Sequence, residues 1–256
     1  MDAYTSFAQV YDMYMDNIPY DEWCKYLLEL LHKNNANKGI MLELGCGTGN
    51  VTRRMAEAGY SMIGIDNSEE MLSIARQKSM DEGLDILYLL QDMTEFELYG
   101  TVDVAISICD SMNYITSREE LLQVFKLVNN YLEKDGLFIF DMNTEYKYSE
   151  ILGDNVIAEN RDEGSFIWEN AYYEDEKVNE YNLTLYIRDE DNKYDRFEET
   201  HYQKAYSIKE MKEIIEESGM ELVAIYDAFT MDEPKDDSER VYYVVKEGYQ
   251  EGKTYR

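Results

Sequence analysis

The period of the apolar positions changes along the chain, and each change marks an element. Phe7, Val10, Tyr11 and Tyr14 recur at helical spacing, Pro19 interrupts, and Trp23, Tyr26, Leu27, Leu30 and Leu31 resume the pattern, which predicts two N-terminal helices. From residue 40 onward short apolar runs alternate with amphipathic stretches. They read as strand 40–44, helix 50–58, strand 60–65, helix 68–80, strand 85–90, strand 102–108, helix 118–132 and strand 137–141. Alternation of this kind predicts an α/β fold with a parallel, doubly wound sheet. Between residues 153 and 206 the period falls to two, with Tyr181, Leu183, Leu185 and Ile187 on one face and Glu180, Asn182, Thr184 and Tyr186 on the other. That segment predicts an antiparallel sheet inserted into the parent fold. A helix over 208–217, closed by Gly219, and strands near 221–226 and 241–245 complete the chain. The expected organisation is one α/β domain, residues 1–148 and 207–248, interrupted by an antiparallel β subdomain, residues 149–206, that serves as a lid or an interface.

The first strand carries the candidate chemistry. Ile40 to Leu44 runs into a turn with glycine at 45, 47 and 49, and the second strand ends on Asp66, 21 residues after Gly45. Gly45 and Gly47 let the backbone approach a ligand without a Cβ clash, and an acid about 20 residues further on is placed to bind ribose hydroxyls. Ser68, with Glu69 and Glu70 behind it, is the better cap for the following helix, which leaves Asp66 to the ribose. The helix that follows the glycines turns its free N–H groups toward a ligand carboxylate. A dinucleotide site wants its third glycine at position 50, where this chain has Asn50, so an NAD-dependent oxidoreductase is the weakest reading.

Glu43, Gly45, Gly47 and Gly49 together resemble motif I of the class I S-adenosylmethionine-dependent methyltransferases. The resemblance implies a Rossmann-like seven-stranded sheet that ends in an antiparallel pair, and S-adenosyl-L-methionine as cofactor. It further implies that Glu43, Gly45, Cys46, Gly47, Asp66 and Asn67 hold that cofactor, that Asp92 accepts from the adenine amino group with Met93 against the ring, and that Cys109 ends the fourth strand near the methyl group. Two segments, Phe7-Ala-Gln-Val-Tyr11-Asp12 and Glu199-Thr-His201-Tyr-Gln203-Lys-Ala-Tyr206, are similar to a narrower subgroup of small-molecule N-methyltransferases, the glycine/sarcosine-type and nucleotide-linked aminosugar enzymes. By that resemblance the tyrosine of the N-terminal helix lies over cofactor and substrate. Tyr11, Asp110 and His201 are then the candidate catalytic groups, each able to accept a proton from an amine nucleophile. His201 shares a strand face with Glu199 and Gln203, which is either a pocket wall or a solvated or dimer-facing surface; the surface reading is favoured.

Composition narrows the partners. Lys and Arg number 24 against 54 Asp and Glu, a formal charge of −30, so phosphate backbones are repelled and no nucleic-acid partner is expected. Solubility is the plain account of that charge and a cationic or amine substrate the sharper one. Cys24, Cys46 and Cys109 form no C-x-x-C pair, and His32 and His201 are too few for a metal cluster, so neither disulfides nor a metal are expected. No basic leader or membrane-length apolar run is present, which suggests a cytoplasmic protein, monomer or homodimer, without membrane partners. The expected function is in-line transfer of a methyl group to a small-molecule acceptor, an amine nitrogen before a hydroxyl, a carboxylate or a protein side chain. A non-catalytic S-adenosylmethionine-binding module remains the alternative from another class.

Overall fold

Strands whose residues are apolar on both faces need cover on both faces, and helices supply it here. The computed structural model describes residues 8–16, 18–189, 191–249 and 253, so Phe7 lies outside the described residues. In chain order the elements are α1 (Ala8–Tyr14), α2 (Tyr20–Lys33), β1 (Ile40–Leu44), α3 (Asn50–Glu57), β2 (Ser61–Asp66), α4 (Glu69–Glu82), β3 (Leu87–Leu90) and β4 (Val102–Ser107). There follow α5 (Arg118–Tyr131), β5 (Leu132–Asn143), β6 (Val156–Asn160), β7 (Gly164–Tyr173), β8 (Val178–Arg188), β9 (Tyr194–Lys204), α6 (Ile208–Glu217), β10 (Glu221–Asp227) and β11 (Arg240–Lys246).

One sheet has the order β10-β11-β5-β4-β1-β2-β3, and a second, of four strands, has the order β6-β7-β8-β9. Neighbours among β1 to β5 pair in parallel, while β11 is antiparallel to both β5 and β10. Only β11 therefore runs against the rest, and β10 points the same way as β1. Winding reverses between β1 and β4, and a crevice opens beyond the carboxyl ends of those strands.

Alternate residues of the central strands feed two cores. Phe138 and Phe140 pack with Phe125 of α5 and Tyr243 of β11 on one face; Ile139 joins Leu27, Leu30 and Leu31 of α2, with Met41 and Tyr242, on the other. All pairs of the second sheet are antiparallel, and Tyr181, Leu183 and Leu185 of β8 turn inward as the period of two requires.

Some boundaries differ from the sequence pattern. β5 begins at Leu132 rather than 137, because Leu132 pairs with Val102 before an irregularity in register near Gly136. A 3-10 turn at Ser111–Tyr114 and a π-helical turn at Lys147–Leu152 have no counterpart in the periodicity, since a single turn is too short to show one. Among the described residues no helix is long and apolar enough to cross a membrane.

α1, of seven residues, is too short to hold its own helical form, and side chains tie it to the glycine turn, α3 and α4 on one side and to the second sheet on the other. Asp12 accepts from Thr48 Oγ1 and Asn50 Nδ2 at 2.8 Å and pairs with Lys78 at 2.5 Å. On the other side Arg161 forks onto both oxygens of Asp16 at 2.8 and 2.9 Å, and the Tyr14 ring meets Phe166 edge-on at 4.8 Å. These contacts lay α1 as a strap from the glycine turn to the second sheet.

Phe140 is fully buried and stacks on Tyr243 with 4.8 Å between ring centroids. Phe140→Ala is expected to cost about 3–5 kcal/mol, measured as a lowered urea midpoint with an unchanged slope.

Candidate functional site

The turn after β1 is shaped by glycines held at positive φ. Gly45, at φ 71°, donates to Ile65 O at 2.8 Å, and a Cβ there would meet Ser111 Oγ at 2.8 Å. Gly47, at φ 52°, differs: a Cβ there would meet nothing within 4 Å, because this glycine faces open space. Its N–H donates to Asp66 Oδ2 at 2.8 Å while the Ser68 N–H donates to Oδ1 at 2.9 Å. Ser68 caps α4 by accepting from Met71 N at 3.2 Å. Asp66 is thus not left wholly to a ligand, as the sequence suggested; its two oxygens each take one backbone N–H and keep further lone pairs for the crevice. Burial raises its pKa, and those N–H groups pull against the rise.

The crevice holds a cavity of about 380 Å³, whose wall includes Tyr11, Glu43, Gly45, Cys46, Gly47, Asp66, Asn67, Asp92, Met93 and Cys109. Ten of the sequence-derived site residues thus come together from α1, from the ends of β1 and β2 and from the loops beyond β3 and β4. Glu43 is 3% exposed, and burial lifts its pKa to about 8 against the opposing hydrogen bond from Thr52 Oγ1 at 2.5 Å. It is therefore mostly protonated at neutral pH. Asp92 is oriented by two 2.7 Å bonds from Thr94, both on Oδ1, so Oδ2 keeps its acceptor capacity. Tyr11 comes down from the strap, and burial pushes its hydroxyl well above the usual tyrosine range. Its ring forms part of the aromatic wall of the cavity.

Asp110 and His201 do not reach the cavity wall. Asp110 Oδ1 takes Arg240 at 2.6 Å and Oδ2 takes Gln203 Nε2 at 2.7 Å, so both oxygens are bound within the protein. Its N–H donates to Asp141, whose other oxygen also receives Arg240. The expected proton acceptor is instead one member of a carboxylate–guanidinium–carboxylate group. Burial raises the pKa of Asp141, with Arg240 opposing the rise. Cys109 and Asp110 sit at φ 64° and 54°, a left-handed pair that costs about 1–3 kcal/mol per residue and persists because its neighbours fix it.

His201 lies behind Tyr114, which lines the cavity and meets it edge-on at 5.9 Å, while Nε2 is 3.2 Å from Glu199 Oε2. Glu199, His201 and Gln203 are 7, 6 and 1% exposed, which overturns the favoured reading of this strand face as a surface. Gln203 Oε1 accepts from Tyr148 and Tyr181, so this face carries a polar network between the sheets.

The α3 N-terminus also departs from expectation. Asp12 of the strap, rather than a ligand alone, engages Thr48 and Asn50 there, and its pKa is lowered because bonds from Lys78, Asn50 and Thr48 outweigh its burial. Tyr20, Tyr114 and Glu120 also line the cavity and were not singled out in sequence. With 24 tyrosines in the chain, spacing alone gives no means of choosing among them.

Comparison with known proteins agrees with this geometry. The family described as a methyltransferase domain matches residues 41–136. A putative methyltransferase, YqeM, of Bacillus subtilis (strain 168) is 36% identical over 241 residues, covering 94% of this chain and 95% of its own length. The crystal structure of a S-adenosylmethionine-dependent methyltransferase from Clostridium acetobutylicum superposes with a TM-score of 0.86 at 30% identity, covering 97% of this chain and all of the other. The sugar N-methyltransferase KedS8 from Streptoalloteichus shares the fold with a TM-score of 0.77 at 14% identity, over 93% of each chain.

Removing the guanidinium strands two buried carboxylates. Arg240→Met is expected to destabilise the protein by about 3–5 kcal/mol near pH 8. A buried acid with a raised folded-state pKa destabilises above its unfolded pKa and is relieved as pH falls through the folded value. The deficit against wild type, read from urea titrations, is therefore expected to shrink between pH 8 and pH 5.

Proposed function

Because this chain belongs to the S-adenosylmethionine-dependent methyltransferases, we propose the narrower activity that its cavity supports, transfer of a methyl group to an amine nitrogen of a small molecule. The observation that carries the choice of nitrogen is the make-up of the wall. Among the described residues that line it there is no histidine or lysine, the acids Glu43, Asp66 and Asp92 are each already bound by groups of the protein and Glu120 stands exposed, while Asp110 is bound by Arg240 and Gln203 and His201 lies behind Tyr114. A hydroxyl acceptor needs a base to become nucleophilic near neutral pH, whereas an amine has a neutral, reactive fraction without one. The shared fold of the sugar N-methyltransferase is in keeping with this reading.

The residues present fit the cofactor. The open space at Gly47 admits a ligand against the backbone, Asp66 retains lone pairs for ribose hydroxyls, and Asp92 keeps Oδ2 for an amino group with Met93 beside it. Asn67 and Cys46 complete the wall on the ribose side and Cys109 that beyond β4. When bound, S-adenosylmethionine supplies a methyl group on a sulfonium, a carbon open to in-line attack with a neutral thioether as leaving group. The chain's part is alignment and exclusion of water. Tyr11, Tyr20 and Tyr114 contribute hydroxyls that hydrogen-bond an incoming amine and ring faces that favour nearby positive charge.

Glu43 couples this binding to protons. It is mostly protonated below its pKa of about 8 and becomes favoured as a carboxylate when the cationic sulfonium of S-adenosylmethionine enters the cavity. Binding at pH 7 is expected to release about one proton, read as a dependence of the calorimetric enthalpy on the buffer's ionisation enthalpy. Glu43→Gln is expected to abolish that dependence.

Asp66→Ala is expected to weaken S-adenosylmethionine binding by about 1–3 kcal/mol; unchanged affinity in a titration would refute the ribose assignment. Incubation with pools of amines and alcohols, followed by mass spectrometry, tests the acceptor atom. Methylation of nitrogen supports the proposal, and methylation confined to hydroxyls overturns it.

A further inference from the structure

We propose that the acceptor is a cationic amine carrying neither phosphate nor carboxylate, with Glu120 binding a positive group of it at the cavity mouth. This rests on the methyl-transfer reading above and specifies its substrate class. Four carboxylic acids line the cavity, Glu43, Asp66, Asp92 and Glu120, and among the described residues no lysine, arginine or histidine does. The residues outside the description contain a single basic side chain, Arg256.

Three of these acids already have partners in the protein. Thr52 binds Glu43, the Gly47 and Ser68 N–H groups bind Asp66, and Thr94 binds Asp92. The Glu120 side chain, exposed on the first turn of α5, has no hydrogen-bond partner among the described residues.

Cations close to the site are also committed. Lys78 pairs with Asp12, Arg240 with Asp110 and Asp141, and Arg118, near Glu120, with Glu217 at 2.5 Å. Lys204 lies over the Tyr206 ring at 5.3 Å.

A phosphate would find little welcome at the helix end beside the mouth. Ser117 Oγ already accepts the Glu120 N–H at 3.3 Å, and Glu119 and Glu120 place negative charge in that first turn. The formal charge of −30 adds long-range repulsion of anions and attraction of cations. A nucleotide-linked aminosugar, whose diphosphate needs donors and counter-charge, does not match this wall, whereas a diamine does. One nitrogen, neutral, faces the methyl donor; the other, an ammonium, reaches Glu120.

The test is calorimetric titration of the full chain saturated with S-adenosylhomocysteine, using spermidine and putrescine as cationic probes and thymidine diphosphate as the anionic one. Binding of the amines, weakened about threefold to fivefold by Glu120→Gln and left unchanged by Glu119→Gln, supports the proposal. Glu119 is exposed on the same turn and does not line the cavity, so the two variants change net charge equally; Glu119 accepts from Ser117 Oγ at 3.2 Å, a bond that the glutamine oxygen can keep. Three results overturn it: binding of thymidine diphosphate, no amine binding, or equal weakening by both substitutions, which would mark attraction to the anionic surface at large. Saturation with S-adenosylhomocysteine is itself the control for the underlying reading. If that ligand does not bind, both readings fall; if it binds and the amines do not, only the acceptor class falls.

Discussion

One guanidinium between two carboxylates holds the floor of the site. Arg240, first residue of β11, reaches Asp141 in β5 and Asp110 in the loop after β4, and its guanidinium lies 5.2 Å from the Trp23 ring centroid on α2. Four elements that are distant in sequence thus share one charge. Asp110 also receives Gln203, which in turn accepts from Tyr148 and Tyr181, so the same network reaches the second sheet. The left-handed backbone at Cys109 and Asp110 depends on this frame, because nothing local favours two consecutive non-glycine residues there. Since Cys109 lines the cavity, the shape of the cavity wall depends on an ion group that itself lies outside it.

The strap α1 closes the opposite side by similar means. Asp12 joins it to the glycine turn and α4, and Asp16 joins it to Arg161 before β7. Tyr11 is carried over the cavity between those two anchors. The second sheet therefore bears on the site from two directions, through α1 and through Gln203, although none of its residues lines the cavity among those described. Its contribution is to position loops and the strap.

The parts legible in sequence are those governed by local rules. Periods of 3.6 and two gave the succession of helices and strands, and the glycine turn followed by Asp66 placed the cavity, because each signal is carried by neighbouring residues. The residues that were misread depend on partners far along the chain. Asp110 stood at a strand end where a ligand was expected, but Arg240, 130 residues later, occupies it. His201, Glu199 and Gln203 fell on one strand face correctly; which side that face turned to was set by packing of the two sheets. Asp12 was visible as part of a Tyr-Asp pair, and only the fold brings it to Thr48, Asn50 and Lys78.

Burial sorts the acids of the site by role. Glu43, almost sealed from water and with one hydroxyl bond, has its pKa lifted to about 8 by burial. Asp66, half-buried, is better supplied, with backbone N–H groups that stabilise its charge in advance. Glu120 stands in water at the rim and is correspondingly weak in any pair it forms. A cavity whose acids were all sealed and ionised would pay heavily in folding, and one whose acids were all exposed would hold a cationic ligand poorly. The gradient from Glu43 to Glu120 avoids both: burial holds the inner acid toward its neutral form, and the outer one stays in water without constraining the core.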